Sequence, residues 1–467
     1  MQKPRAAWLY GALLGAAGLL VCWGFAVDDA LISARMAASL ASGSGYRFNP
    51  HGDMVDAVTP LGYAHLLSLC GRESPLGVLQ FARGIGAVVY VLGWARLGQL
   101  VLPRKGGWLL ALLLAFAPCA ATWASTGMET ALVFGLLIVG LGGGDAPESR
   151  RVASLASLAL GVAGAWRPEL LACVGVLLLE RASREQGLRR ALPLLLGLLP
   201  TLLVIALRSA YFGRPMPLSV LAKPSDLEHG LRYALGGWIL TGLPLCVVAP
   251  RVWLKLSVRL RWWTAALFAH AVALLLAGGD WMALFRLYVP VLPLGLVVAV
   301  GIWQHAARWA SRLRYVLAVL ALSALWWQGG FAARHVMADR LALMDAARPL
   351  LAGHRVASVD IGWVSAVEPE AVIDLAGVTD PSIAVLPGGH TSKRIDAQLY
   401  ERQRVDRLVV LCTSGPPPQQ ASEIQPARQV EARMLNQTRG LKQILEAVLE
   451  VQSGAIRYCI VALNPTP

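Results

Sequence analysis

Long apolar runs alternate with short polar interruptions along the first two-thirds of the chain. Runs with few or no charges recur at about 6–26, 76–100, 107–124, 127–143, 152–165, 169–180, 191–208, 233–249, 262–277, 287–303 and 314–328. A helix needs roughly 20 apolar residues to cross the ~30 Å hydrocarbon layer, so the pattern predicts about eleven transmembrane helices. The runs at 152–165 and 169–180 are short and share the break Arg167-Pro168, so they read as one broken helix or as two tilted ones. The first run has a basic start, as a signal peptide does. Its 21 uncharged residues exceed the ~7–15 of a signal-peptide core, and it reads as a transmembrane helix.

The pattern changes beyond about residue 335. Short β-branched runs (RVASVD, AVID, LVVLC) alternate with helical stretches such as RIDAQLYERQRVD, which predicts a small α/β domain over 340–467 with partly parallel strands. The stretch 415–427, GPPPQQASEIQPA, reads as a connector, followed by a helix over 440–452 and a last strand near 458–463. No GxGxxG or GxxxxGK[ST] follows any of these strands, so no nucleotide site is expected there. The expected domains are therefore a membrane core over 1–335, with an external loop at 27–75, and the α/β domain.

Composition strengthens the membrane reading. Of 467 residues 56% are hydrophobic and 15% charged, with mean hydropathy +0.56; a soluble domain carries about 25% charged residues. A net charge of +14 would suggest nucleic acid for a soluble protein. Here the basic residues collect in alternate loops: Lys3 and Arg5, Arg104 and Lys105, Arg150 and Arg151, Arg181 to Arg190, Arg251 to Arg261, and Arg308 to Arg314. That is the pattern of cytoplasmic anchoring, so the partner is membrane lipid and no nucleic acid is expected. The other loops hold carboxylates, among them Asp28, Asp29, Asp53, Asp56, Glu129, Glu169 and Asp280. With the N-terminus cytoplasmic, an odd number of spans puts the tail outside. Five cysteines (Cys22, Cys70, Cys119, Cys173, Cys246) lie in or beside apolar runs, whereas Cys412 and Cys459 sit in strand-like runs, where a disulfide can form outside the cytoplasm.

Candidate chemistry concentrates at 27–60. Asp28 and Asp29 stand at the edge of the first apolar run, where a carboxylate is costly unless it pairs, coordinates or reacts. The following ALISARMAASLASG predicts a short amphipathic helix along the membrane interface, stopped at Gly43; one aspartate can serve as its cap. Other polar groups on the expected outer side are Thr126-Gly127-Met128-Glu129, Trp166-Arg167-Pro168-Glu169, Gly278-Gly279-Asp280-Trp281 with Arg286, and 208–223. Each alone is explained by an anchored helix end or a loop. Together they supply carboxylates for proton transfer and arginines for a phosphate.

The segments DDALISARMAASLASGSGYRFNP and VDAVTPLGY, then STGMETAL, WRPE, GGDWM with FR and VP, and DIG with IDLAGVTDPSIA, resemble in order the bacterial C-type (GT-C) glycosyltransferases related to mycobacterial terminal arabinofuranosyltransferases. The chain departs from that pattern at Ala57, where glycine is usual, and at Trp166, where a small residue is common. The resemblance implies a polytopic helical enzyme of the bacterial cytoplasmic membrane. Such an enzyme moves a sugar, hexosyl or pentosyl, from a polyprenyl-phosphate carrier to a hydroxyl of a cell-envelope glycan or glycolipid on the outer face. On that reading Asp28 is the first candidate for base and Asp29 the second. Arg35, Arg167 and Arg286 are the phosphate candidates, and Glu129 and Asp280 line the sugar pocket. No cofactor is specified beyond an open place for a divalent cation, since paired aspartates suit a cation and a proton-transfer role equally well. A glycolipid transporter or flippase is the alternative, although the polar groups crowd one expected face and no internal repeat appears. An envelope scaffold would leave both aspartates dispensable.

Overall fold

A computed structural model describes residues 4–142, 149–413, 415–451 and 457–464; Lys3 lies outside them. The chain divides into two compact units. The first comprises 1–25, 83–207 and 225–334, and the second 26–82, 208–224 and 335–467. The external loop and the segment 208–224 thus belong with the C-terminal part rather than with the helical core.

The apolar runs fold as helices of unequal length. Among the described residues six are long and apolar enough to cross a membrane: Arg5–Cys22, Pro75–Val101, Gly187–Phe212, Val258–Ala277, Ala283–His305 and Arg308–Leu351. The number is seven if Gly107–Ala115 and Pro118–Ala124, bent by 55° at a break, form one span. The run broken at Arg167 is two helices, Arg150–Trp166 and Leu171–Ser183, separated by the 3-10 turn Pro168–Leu170. Leu192, Leu195, Leu198, Leu199, Leu202 and Leu203 are all exposed on Gly187–Phe212. Such a face is stable only against lipid, and the chain is a polytopic helical membrane protein.

Ala283–His305 is the most enclosed of these helices. Hydrophobicity cannot drive helices together in lipid, so close packing of small residues must. Helices Pro4–Cys22 and Pro75–Val101 show this: a Cβ on Gly11 would lie 2.3 Å from the Trp94 carbonyl oxygen, and one on Gly98 would lie 2.5 Å from that of Ala7.

The second unit contains a five-stranded sheet: β1 (Arg355–Ser358), β2 (Ala371–Asp374), β3 (Arg407–Cys412), β4 (Lys442–Glu450) and β5 (Arg457–Asn464). The order is β2-β1-β3-β5-β4; β1 runs parallel to β2 and β3, and β5 antiparallel to β3 and β4. Alternate residues of β1, β3 and β5 (Ala357, Leu408, Val410, Cys459, Val461) pack with Tyr400, Val430 and Met434 in one apolar core. The stretch 415–427 is a connector with one 3-10 turn, Ala421–Glu423.

Two expectations are corrected. The predicted helix over 440–452 is strand β4 as far as Glu450, and Gln452 lies outside the described residues. Its Lys, Leu, Glu and Ala favour a helix, but pairing with β5 from Lys442↔Asn464 to Glu450↔Arg457 overrides that preference, with a register shift between Leu445 and Ala447. The helix Asp28–Ala41 stops before Gly43 as expected, but it does not present an apolar stripe to an interface. Ala30, Leu31, Ile32, Ser33, Ala34, Met36, Ala37 and Ala38 are buried on all its sides, because its small residues let Tyr63–Ser68 and Ile361–Ser365 pack closely on it.

Cys412 and Cys459 form a disulfide, with Cα atoms 6.3 Å apart and a sequence separation of 47; the other five cysteines are free. Closing a loop of that length contributes on the order of 4 kcal/mol in the chain-entropy account. Thiol labelling of the unfolded, unreduced protein is expected to find the five free cysteines, and all seven after reduction. Seven before reduction would contradict the bond.

Candidate active site

The candidate residues fall in both units: Asp28, Asp29 and Arg35 in the second, and Glu129, Arg167, Asp280 and Arg286 in the first.

In the second unit, neither aspartate caps its own helix. The N-cap is Val27, with no side-chain hydrogen bond, and Asp28 and Asp29 occupy the first turn, where carboxylates complement the helix dipole. Asp28 reaches across to another helix. Its Oδ2 accepts from the Gly362 N–H and its Oδ1 from the Trp363 N–H, both at 2.9 Å, so it satisfies the first turn of Ile361–Ser365. Glycine is required at 362, because a Cβ there would lie 2.0 Å from the Asp28 carbonyl oxygen. Asp29, one residue on and half-buried, points along a different side of the helix. The Arg35 Nε donates to the Phe48 carbonyl at 3.2 Å and holds the loop that follows.

A second carboxylate stands beside that junction. Asp360 accepts from Arg428 Nη1 at 2.9 Å and Nη2 at 3.3 Å and from the Tyr458 hydroxyl, while Arg340 Nη1 donates to the Tyr458 oxygen at 3.4 Å. Arg428 also pairs with Glu431, whose Oε1 accepts from the Leu411 N–H of β3 at 2.9 Å. Burial opposes the charge on Asp360, but Arg428 and then Arg340 outweigh it and hold its pKa below the usual carboxylate value. For Asp28 the balance goes the other way: burial first, and the charge of Asp360 second, push it up to about 7 against the pull of Arg340 and the two N–H groups. Sequence reasoning missed Asp360 as a functional group, although it begins the DIG motif. It missed Arg340, Arg428 and Tyr458 entirely, since no local pattern marks them.

A buried ion pair ties the segment 208–224 to the external loop. Arg208 Nε lies 2.7 Å from Asp56 Oδ2, both side chains being at most 3% exposed, and another Arg208 nitrogen donates to the Thr59 carbonyl. This assigns Arg208 to structure.

In the first unit the polar residues form two neighbouring pairs. Arg167 pairs with Glu129, which is 1% exposed, and lies 3.5 Å from Glu169. Arg286 grips Asp280 with two hydrogen bonds, Nε to Oδ2 at 2.9 Å and Nη2 to Oδ1 at 3.1 Å. Residues six apart on a regular helix do not face each other; here Leu284 and Phe285 adopt left-handed φ values of 59° and 51° and turn Arg286 back toward Asp280. Strained backbone of this kind collects at functional sites. The Arg286 guanidinium carbon sits 5.4 Å from the Trp123 ring centroid, and its Nη1 lies 3.6 Å from Met128 Sδ, beside Glu129 in sequence. The structure therefore brings Glu129, Arg167, Asp280 and Arg286 together. His270, fully buried, was missed; its ring nitrogens lie 3.2 Å and 2.9 Å from the Glu169 and Leu287 carbonyl oxygens, next to these pairs. Among the described residues no group of three or more His, Cys, Asp or Glu is arranged to hold a metal ion.

Asp28→Ala strands two N–H groups and is expected to destabilise the second unit by about 2–5 kcal/mol, with Gly362→Ala at least as damaging. Because the folded protein holds the Asp28 proton more tightly than the unfolded chain, this group's contribution is fully present below about pH 4 and is lost as pH rises toward about 7. The difference in Tm between the native chain and Asp28→Asn is therefore expected to shrink over that range, measured by thermal unfolding in detergent. A difference independent of pH would contradict it.

No family model matches the chain, and no curated protein does. Among solved structures it is similar to ArnT from Cupriavidus metallidurans bound to undecaprenyl phosphate, with a TM-score of 0.54 and 14% identity over 96% of this chain and 97% of that one. It is also similar to the arabinofuranosyltransferase AftD from Mycobacteria, with a TM-score of 0.45 and 17% identity over 98% of this chain but 40% of that one. The likeness to ArnT covers nearly both chains from end to end, so this chain has the GT-C-like fold of a membrane glycosyltransferase.

Proposed function

We propose that the protein transfers a sugar from a polyprenyl-phosphate carrier to a hydroxyl of a cell-envelope glycan or glycolipid, on the outer face of the cytoplasmic membrane. The observation that carries this reading is the end-to-end likeness to ArnT, which was solved with undecaprenyl phosphate bound. The paired arginines and carboxylates of the first unit support it. A disulfide in the C-terminal sheet supports an extracytoplasmic tail, because such bonds persist in oxidising compartments.

In the transfer, the acceptor oxygen bonds to the anomeric carbon, the bond from that carbon to the phosphate oxygen breaks, and polyprenyl phosphate leaves. The acceptor proton passes to a carboxylate. Asp28 has both oxygens committed to backbone N–H groups, which makes it an anchor. Asp29, the neighbouring carboxylate in the same first turn, is the base in this reading.

Arg286 and Arg167 are the phosphate ligands. A guanidinium is a planar, multi-donor cation suited to a phosphate, and the carboxylates beside Arg286 and Arg167 compensate their buried charge. Asp280 and Glu129, the partners in those pairs, also accept from sugar hydroxyls.

The test is transfer by the purified protein from a panel of polyprenyl-phosphate pentoses and hexoses. At least one donor is expected to react. Arg286→Lys keeps the charge but loses the two-point grip on Asp280, and is expected to raise the donor KM tenfold or more with little change in the acceptor KM. Absence of transfer with every donor, or an unchanged donor KM in Arg286→Lys, would contradict these roles.

A further inference from the structure

The second unit holds a cavity of about 230 Å3 that none of the chemistry above uses. One wall is the loop 47–54, closed by an Arg47↔Met54 bridge and by the Arg47 guanidinium on the Gly52 carbonyl. The other wall is the outer edge of the sheet, where β2 has a strand on one side only. Asn49 joins the two: its Nδ2 donates to the Val372 carbonyl and its Oδ1 accepts from the Val372 N–H, both at 2.9 Å, so one amide side chain replaces the missing neighbour strand. Walls fixed in this way bind without the cost of ordering a loop.

The lining specifies a ligand class. Three carboxylates, Asp53, Glu370 and Asp380, share the lining with His51 and one arginine, Arg355, which is already paired with Glu370 at 3.0 Å. A phosphate or another anion would meet net negative charge here. The space is also smaller than the ~300–1,000 Å3 of pockets for drug-sized ligands, and charged and amide side chains line it, so it suits no polyprenyl chain.

What it offers is paired donors and acceptors for hydroxyl groups. Arg355 occupies the Gln403 carbonyl oxygens, backbone and side chain, at 2.6 Å and 3.4 Å, which aims the amide nitrogen of Gln403 as a donor. Asp380 Oδ1 already accepts from Ser382 at the start of a short helix, so Asp53, exposed on the loop, is the adaptable acceptor. Phe48, Val55 and Pro381 add apolar surface for the C–H face of a ring.

We propose that this cavity is a saccharide subsite that binds one neutral pentose or hexose unit of the acceptor glycan. That the bound glycan is the acceptor rests on the transferase reading; binding of a neutral saccharide does not.

The test uses the full chain in nanodiscs, with neutral pentose- and hexose-based trisaccharides, a cationic amino-sugar trisaccharide and undecaprenyl phosphate as probes. Binding is read by saturation-transfer NMR, and folding by Tm. Asp53→Ala with Gln403→Ala is expected to leave Tm and undecaprenyl-phosphate binding unchanged and to weaken neutral trisaccharide binding tenfold or more. In the transfer assay the same double variant raises acceptor KM and spares kcat. Equal trisaccharide binding in the native chain and the double variant overturns the proposal, as does preference for the cationic probe or binding of no saccharide. Saccharide binding that depends on these residues, in a protein that transfers nothing, would keep the subsite and defeat the transferase reading. Transfer with an unchanged acceptor KM in the double variant would do the reverse.

Discussion

The second unit depends on one carboxylate seated on two backbone N–H groups. A helix as short as Ile361–Ser365 cannot satisfy its own first turn, and nothing near it in sequence supplies a cap. Asp28 does so from 334 residues away, and in doing so ties the loop after the first membrane helix to the C-terminal sheet. Around that seat the charges are arranged to be compensated rather than solvated: Asp360 by Arg428 and Tyr458, Arg428 again by Glu431, and Glu431 by a β3 amide. Removing one member leaves its partner buried and unpaired, which costs more than the pair contributes. The unit therefore responds to substitution here as a network and not as separate contacts.

The first unit solves a related problem in a different solvent. Its helices pack through glycine contacts because lipid gives apolar faces no reason to associate. Two of its buried arginines are neutralised in pairs, Arg167 with Glu129 and Arg286 with Asp280. A buried arginine held this way is oriented by its carboxylate.

The helical membrane architecture was legible in the sequence because apolar runs of spanning length need no tertiary information. Helix lengths were less so: the break between Ala115 and Pro118 divides a run that reads as continuous, whereas the break at Arg167-Pro168 was visible in the sequence. Strand β4 was illegible because its residues prefer a helix and only β5 makes it extended. The disulfide was visible as a possibility, and the adjacency of β3 and β5 decides it. Of the candidate site, several residues could be named from the sequence, but their partnerships could not. Asp280 and Arg286 face each other only because Leu284 and Phe285 leave the helical region. The commitment of Asp28 could not be read locally, because its partners are the backbone of a distant segment, and a backbone N–H has no signature in sequence.

In the proposed function that commitment makes Asp28 an anchor and leaves the role of base to Asp29. The most direct measurement is the kcat for sugar transfer by Asp28→Asn and by Asp29→Asn, each compared with the native chain at matched folded fraction. Asp28→Asn is expected to retain transfer in proportion to the protein that remains folded, and Asp29→Asn to lose it with Tm intact. Full activity in Asp29→Asn, or complete loss in a well-folded Asp28→Asn, would contradict that division.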